Sequence, residues 1–154
     1  MTSRQQKFMP VVRELFECAR AFEQCSNAHI RELQLTPAQF DIIATLGNTE
    51  GMTCKELGQR TLITKGTMTG VLDRLEDKGL VARIPSPEDG RSWITRLTAK
   101  GQSVFAASFP AHLRHLEPLF IGLSDGELES MRAQLRRLRD AFATHFAAEH
   151  AQAA

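Results

Sequence analysis

The chain has 154 residues, 42% hydrophobic and 24% charged, with a net charge of +1 and three cysteines. That balance supports a real core and excludes a disordered tail, a collagen-like repeat and a disulfide scaffold. No apolar run approaches the ~18 residues that cross a bilayer, and Met1–Pro10 carries no signal-peptide core, so a cytoplasmic protein with free thiols is expected.

The distribution of charge says more than its sum. From Lys55 to Lys100, nine Lys and Arg stand against six Asp and Glu. The middle of the chain is therefore cationic and the remainder slightly anionic, a modest footprint for a phosphate backbone.

In chain order, Ser3–Leu33 reads as a helix, with Phe8, Val12, Leu15, Phe16, Ala19, Phe22 and Ile30 recurring at steps of three and four. Thr36-Pro37-Ala38-Gln39 is a helix start with a capping box, and Gly47-Asn48 stops it. Thr53-Cys54-Lys55-Glu56 is a second capping box, opening a short helix that ends near Arg60. After a tight turn, Thr64 is placed to cap a helix running to about Lys78. Its Met68, Val71, Leu72 and Leu75 fall on one stripe, and Gly79 sits where a C-terminal cap belongs.

Val81–Ile84 and Ser92–Leu97 read as two strands joined by the turn-rich segment Pro85–Arg91. Thr98 caps a helix expected to span about Ala99–Phe120, with Pro110 or Pro118 as the place for a bend. Ser124-Asp125-Gly126-Glu127 is a third capping box. The helix behind it carries Leu128, Met131, Leu135, Leu138, Phe142 and Phe146 in a near-heptad seam. The fold class expected is mainly α with a small β-hairpin wing.

Two features define a function class together. A short helix, tight turn and second helix over Thr53–Lys78 has helix-turn-helix spacing, in which the second helix enters the major groove. A hairpin directly after it, with Arg91 at the tip, can lay a cation into the neighbouring minor groove. With the apolar stripe of the second helix inward, Gly66, Thr69, Gly70 and Asp73 face outward, flanked by Thr67 and Arg74. Each helix glycine costs roughly 1 kcal/mol relative to alanine, which close approach of DNA would explain. Asp73 and Asp77 would repel phosphate, and their place in the C-terminal half keeps them from the groove floor.

Val71–Val81 and, above all, Asp89-Gly90-Arg91-Ser92-Trp93-Ile94-Thr95-Arg96-Leu97-Thr98 with Ala99-Lys100-Gly101 resemble the multiple-antibiotic-resistance regulator (MarR) family. The resemblance covers nearly the whole chain. It implies a winged helix-turn-helix over residues 35–101, with dimerisation helices at 1–34 and 102–154. It further implies a homodimer on a pseudo-palindromic double-stranded DNA operator, usually as a repressor, and Asp89 orienting Arg91 within the wing. The expected DNA contacts are Lys55, Thr64, Lys65, Gly66, Thr67, Thr69, Gly70 and Arg74 from the helices, and Asp89, Gly90, Arg91 and Ser92 from the wing.

The family resemblance also implies a small anionic aromatic effector, for which Phe16, Arg20, Phe40 and His112 are the lining candidates. Some relatives sense peroxide through a cysteine assisted by tyrosines. This chain has no Tyr, which tells against the peroxide route. A thiol-responsive regulator of the same fold stands as an alternative to reading Cys18 and Cys25 as small buried apolar residues, with Cys54 a thiol at a helix N-terminus. Cys25 with His29, and His112 with His115, have spacings that bind zinc, although such pairs also arise by accident. No cofactor motif occurs: there is no phosphate loop, nucleophile elbow or HExxH, so an enzyme is not expected. A winged-helix protein-interaction module without DNA binding is the reading from another class.

Overall fold

The computed structural model describes Ser3–Pro87 and Gly90–Gln152. The chain divides into two compact units, Met1–Leu116 and Glu117–Ala154. The first unit holds α1 (Ser3–Glu32), α2 (Pro37–Leu46), β1 (Met52–Thr53), α3 (Cys54–Arg60), α4 (Lys65–Asp77), β2 (Val81–Pro85), β3 (Trp93–Leu97) and α5 (Ala99–Leu116). The second holds a 3-10 turn, Glu117–Leu119, and α6 (Asp125–Gln152). The mainly helical class with a small antiparallel sheet is what the sequence indicates.

Local chemistry sets the helix starts. Thr36 Oγ1 accepts from the Gln39 N–H, and the Gln39 side chain accepts from the Thr36 N–H, both at 3.2 Å. The same reciprocal box joins Thr53 and Glu56, and it holds the Glu56 carboxyl below its ordinary pKa, chiefly through the Thr53 backbone N–H. At the far end of α4, Gly79 takes φ +67. Its N–H donates to Glu76 O and that of Leu80 to Leu75 O, closing the helix in the left-handed turn that favours glycine.

The core of the first unit joins α2, α3, α4 and the wing root. Ile42, Ile43, Leu46, Leu57, Met68, Leu75 and Val81 are almost wholly buried there. Alpha-5 reaches this core through its first turn. The Thr98 N–H donates to Leu80 O, the Thr98 hydroxyl donates to Gly79 O, and the Gly101 N–H donates to Thr98 Oγ1. A Cβ on Gly101 would lie 2.0 Å from Leu80 O, so the first turn of α5 is seated directly on the backbone that starts the wing.

Three sequence expectations need correction. The sheet has three strands, in the order β1-β3-β2, not two. The two-residue β1 pairs antiparallel with β3, Met52 opposite Thr95 and Thr53 opposite Ile94. Alpha-5 ends at Leu116 rather than Phe120, because Pro118 has no N–H to continue the i to i−4 ladder, and a 3-10 turn follows. Cys18 and Cys25 are exposed rather than buried, and Cys54 is exposed at the first position of α3.

The apolar stripe of α1 is likewise mostly uncovered within this chain. Phe8, Phe16 and Phe22 are exposed, whereas Ile30 joins the core. In the second unit, α6 begins at its capping box, where Glu127 Oε2 accepts from the Ser124 N–H at 2.9 Å. Met131, Leu135, Phe142 and Phe146 of α6 are exposed, while Leu128 and Leu138 are half-buried.

Candidate nucleic-acid interface

Alpha-3 and α4 meet through Leu57 and Met68, both buried, across the turn Thr61–Thr64. Two side chains fix that turn. The Thr61 hydroxyl donates to Leu57 O at 2.7 Å, and Asp41 of α2 accepts from the Leu62 N–H at 3.0 Å. Met68, Val71, Leu72 and Leu75 are buried as one stripe. The opposite face therefore points outward, with Lys65, Gly66, Thr67, Thr69, Asp73 and Arg74 exposed and Gly70 half-buried.

The start of α4 departs from the expected cap. Thr64 occupies the cap position, but its hydroxyl makes no bond to the helix backbone. It is 2.9 Å from the Thr67 hydroxyl instead. The first backbone N–H groups of α4 thus have no side-chain cap, and a helix start of that kind favours an anionic oxygen.

The two glycines of α4 are not explained by packing in the chain. A Cβ on Gly66 would meet nothing within 4 Å, and one on Gly70 only the Arg74 guanidinium at 3.9 Å. Gly66→Ala and Gly70→Ala are therefore expected to raise stability by about 0.5–1 kcal/mol each, while weakening DNA binding by narrowing the approach to α4. Thermal melts and DNA titrations of the same two proteins check this; weaker folding in both would contradict the packing argument.

Sequence reasoning missed Arg83 on β2. Its Nε donates to Glu76 Oε2 at 2.9 Å, and its Nη2 donates to both Asp73 and Glu76. This hydrogen bonding holds the Glu76 carboxyl below its ordinary pKa. Two acidic groups beside the recognition face are thereby matched by a cation, and the wing is tied to α4. The partners lie seven and ten positions away in sequence, across the turn at Gly79, so no helical or strand period points to them.

Beyond this clamp a cleft of about 500 Å³ opens between α3, α4 and the wing, lined by Cys54, Thr69, Leu72, Glu76, Arg83, Ser92, Trp93 and Thr95. It brings Thr69 of α4 and Ser92 of the wing together. Arg91 and Gly90 are exposed at the wing tip, whose stem closes through the Ser86 N–H donating to Ser92 O. Asp89 lies outside the described residues. Lys55 is exposed on α3. Arg74 lines a second cleft on another flank of α4, with Arg31, Gln39 and Lys78.

The effector candidates do not form one site in the single chain. Phe40 and His112 are buried and meet edge to face, with ring centroids 4.7 Å apart. Phe16 is 70% exposed and stands about 15 Å along α1 before Ser26, the residue that touches His112. Arg20 is exposed as well. The structure also brings His29 to His112 and His115, yet among the described residues no group of three donors is placed to hold a metal ion.

An exposed second helix behind a braced turn, followed by a hairpin wing clamped to that helix, defines a winged helix-turn-helix DNA-binding module. Comparison with known proteins agrees. The model of the MarR family matches residues 33–92. The transcriptional regulator HosA of Escherichia coli O111:H- is 31% identical over 117 residues, covering 75% of this chain and 86% of HosA. Among solved structures, a mutant MarR from E. coli complexed with operator DNA superposes with a TM-score of 0.76 at 23% identity, over 89% of this chain and 99% of that one. Bordetella bronchiseptica BpsR, whose structure addresses regulation of DNA binding by 6-hydroxynicotinic acid, gives 0.76 at 24% identity, over 86% and 95%. The chain belongs to the MarR family of winged helix-turn-helix transcriptional regulators. Its relatives are regulators of transcription rather than enzymes.

Proposed function

We propose that the protein is a homodimeric repressor. On this reading α4 of each subunit enters the major groove of one half of a pseudo-palindromic operator and the wing enters the adjoining minor groove. Residues 35–101 form the reading head, and residues 1–34 and 102–154 form the dimerisation helices. The observation that carries this reading is the exposed face of α4. Its glycines answer to no packing inside the chain, its first turn has no side-chain cap, and its nearest acidic groups are held by Arg83. Threonines and cations fill the remaining positions, the residue types that contact phosphates and base edges.

Dimerisation is supported by the uncovered apolar side chains of α1 and α6, since a second copy supplies matching surface by two-fold symmetry. Release by a small aromatic acid is supported by the chemistry named for BpsR and by the aromatic surroundings of His112. The site of action is the cytoplasm, where the DNA is; among the described residues no helix is long and apolar enough to cross a membrane.

The test uses the single Trp of a chain with no Tyr. Trp93 is 56% exposed beside the wing and α4, so its fluorescence reports on DNA placed there. Titration with the intergenic duplex beside the coding gene should show saturable, salt-dependent binding. Arg91→Ala should weaken it by about 1–3 kcal/mol, roughly 5- to 150-fold. Equal affinity of the two proteins would remove the wing from the interface. No salt-dependent binding at all would favour a protein-interaction module instead.

A further inference from the structure

Three of the five histidines, His29 of α1 and the neighbouring pair His112 and His115 of α5, stack where the end of α1 meets α5. His112 is 5% exposed. Its Nε2 lies 3.1 Å from Ser26 Oγ and its Nδ1 lies 3.0 Å from His29 Nδ1. His29 in turn stacks on His115, centroids 4.2 Å apart and planes 11° from parallel. On its other side His112 abuts Phe40 of α2, which belongs to the core under the reading head.

Proton counting shows what this arrangement tolerates. A hydrogen bond between two Nδ1 atoms needs one N–H and one lone pair. Two neutral rings satisfy it, and so does one imidazolium facing a neutral ring. When both rings are charged, two N–H groups face each other and the bond is lost. Among the described residues, Ser26 and His29 of α1, His115 of α5 and Phe40 of α2 face His112, and none of these is a carboxylate that could balance a second charge.

We propose that the His29–His112–His115 stack is a proton-operated latch between α1 and α5. Charging His112 while His29 is charged breaks the Nδ1–Nδ1 bond, parts the two helices and withdraws the ring edge that supports Phe40; a charge on His115, stacked on His29, adds to the repulsion. Mild acid then lowers DNA affinity. Ordinary electrostatics would act the other way, because added positive charge strengthens attraction to phosphate. The output rests on the DNA-binding reading above; the latch itself is tested without DNA.

Burial, then the charges of His29 and His115, hold His112 below the ordinary histidine value of 6.5. The folded ring therefore binds its proton less readily than the unfolded one. Its contribution to stability is full above about pH 6.5 and declines as pH falls below that, until the folded ring is itself charged.

The experiment has two arms on the full-length protein between pH 7.5 and 5.5. Without DNA, ring resonances of the histidines are followed alongside backbone hydrogen exchange corrected for its intrinsic pH dependence. The amides around Ser26–Ile30 and Ser108–His112 should exchange at least tenfold faster as His112 charges. Unchanged protection across that titration would overturn the latch. With the operator, wild type should lose tenfold or more in affinity on acidification, and His112→Gln, which keeps amide hydrogen bonding but takes no proton, should not. Should that variant fail to fold, His29→Gln removes one neighbouring charge and should flatten the acid dependence. An acid response identical to wild type in the folded variant would also overturn the proposal. Absence of DNA binding at every pH would instead sink the repressor reading and leave the latch to the exchange arm.

Discussion

Gly101→Ala is expected to destabilise the first unit by about 3 kcal/mol or more, lowering its melting temperature by roughly 10 °C. The added Cβ would stand 2.0 Å from Leu80 O and 3.0 Å from Leu80 C. Those are backbone atoms, held by the Leu80 N–H bond to Leu75 O and by the Thr98 N–H bond to Leu80 O. No side-chain rotation can make room, so the first turn of α5 must lift off the wing root. Gly66→Ala, with open space around its Cβ, is the control of opposite sign. Thermal unfolding followed by circular dichroism decides the matter, and a melting point within two or three degrees of wild type, on the order of the shift from a neutral surface change, would refute the seating of α5.

Ending the chain after Asp125, which removes nearly all of α6, is expected to have the largest functional effect. Met131, Leu135, Phe142 and Phe146 lie exposed along that helix, and the dimer proposed above gives them a partner. Without them the protein should run as a monomer or aggregate through the remaining apolar surface of α1. A monomer engages one half-site, so operator affinity should fall about 100-fold or more for loss of the second, tethered contact. Light scattering with the same titration tests both points. A soluble truncated dimer with full affinity would place the subunit contact elsewhere.

What the sequence revealed, and what it concealed, follows from the range of each interaction. The boxes at Thr36–Gln39, Thr53–Glu56 and Ser124–Glu127 are complete within four residues, and all three are formed. The stripe Met68–Val71–Leu72–Leu75 is a property of one helix, so its burial could be read together with the outward face of α4. Beta-1 could not be read, because two residues carry no alternation. Only its pairing with β3 makes it a strand. Arg83 was hidden for the same reason, its partners being set by the path of the wing rather than by a local period.

Alpha-1 shows another limit. Its apolar period correctly indicates a helix, yet a period does not say what covers the apolar side. Phe16, Cys18 and Cys25 are exposed in the single chain. The histidine stack shows it again: His29 and His112 stand 83 positions apart, so two separate short pairs in the sequence become one cluster only when α1 lies along α5.

The Arg83 clamp has a mechanical consequence. Because β2 grips two successive turns of α4, the finger and the rod of one reading head act as a rigid calliper with a fixed gap between its jaws. A DNA half-site with altered groove width must strain that calliper or lose one jaw. In the dimer proposed above, a change in the spacer between half-sites would strain only the joint between the two subunits. On the reading proposed above, discrimination by local DNA shape would lie with each chain and tolerance of spacer length with the pair.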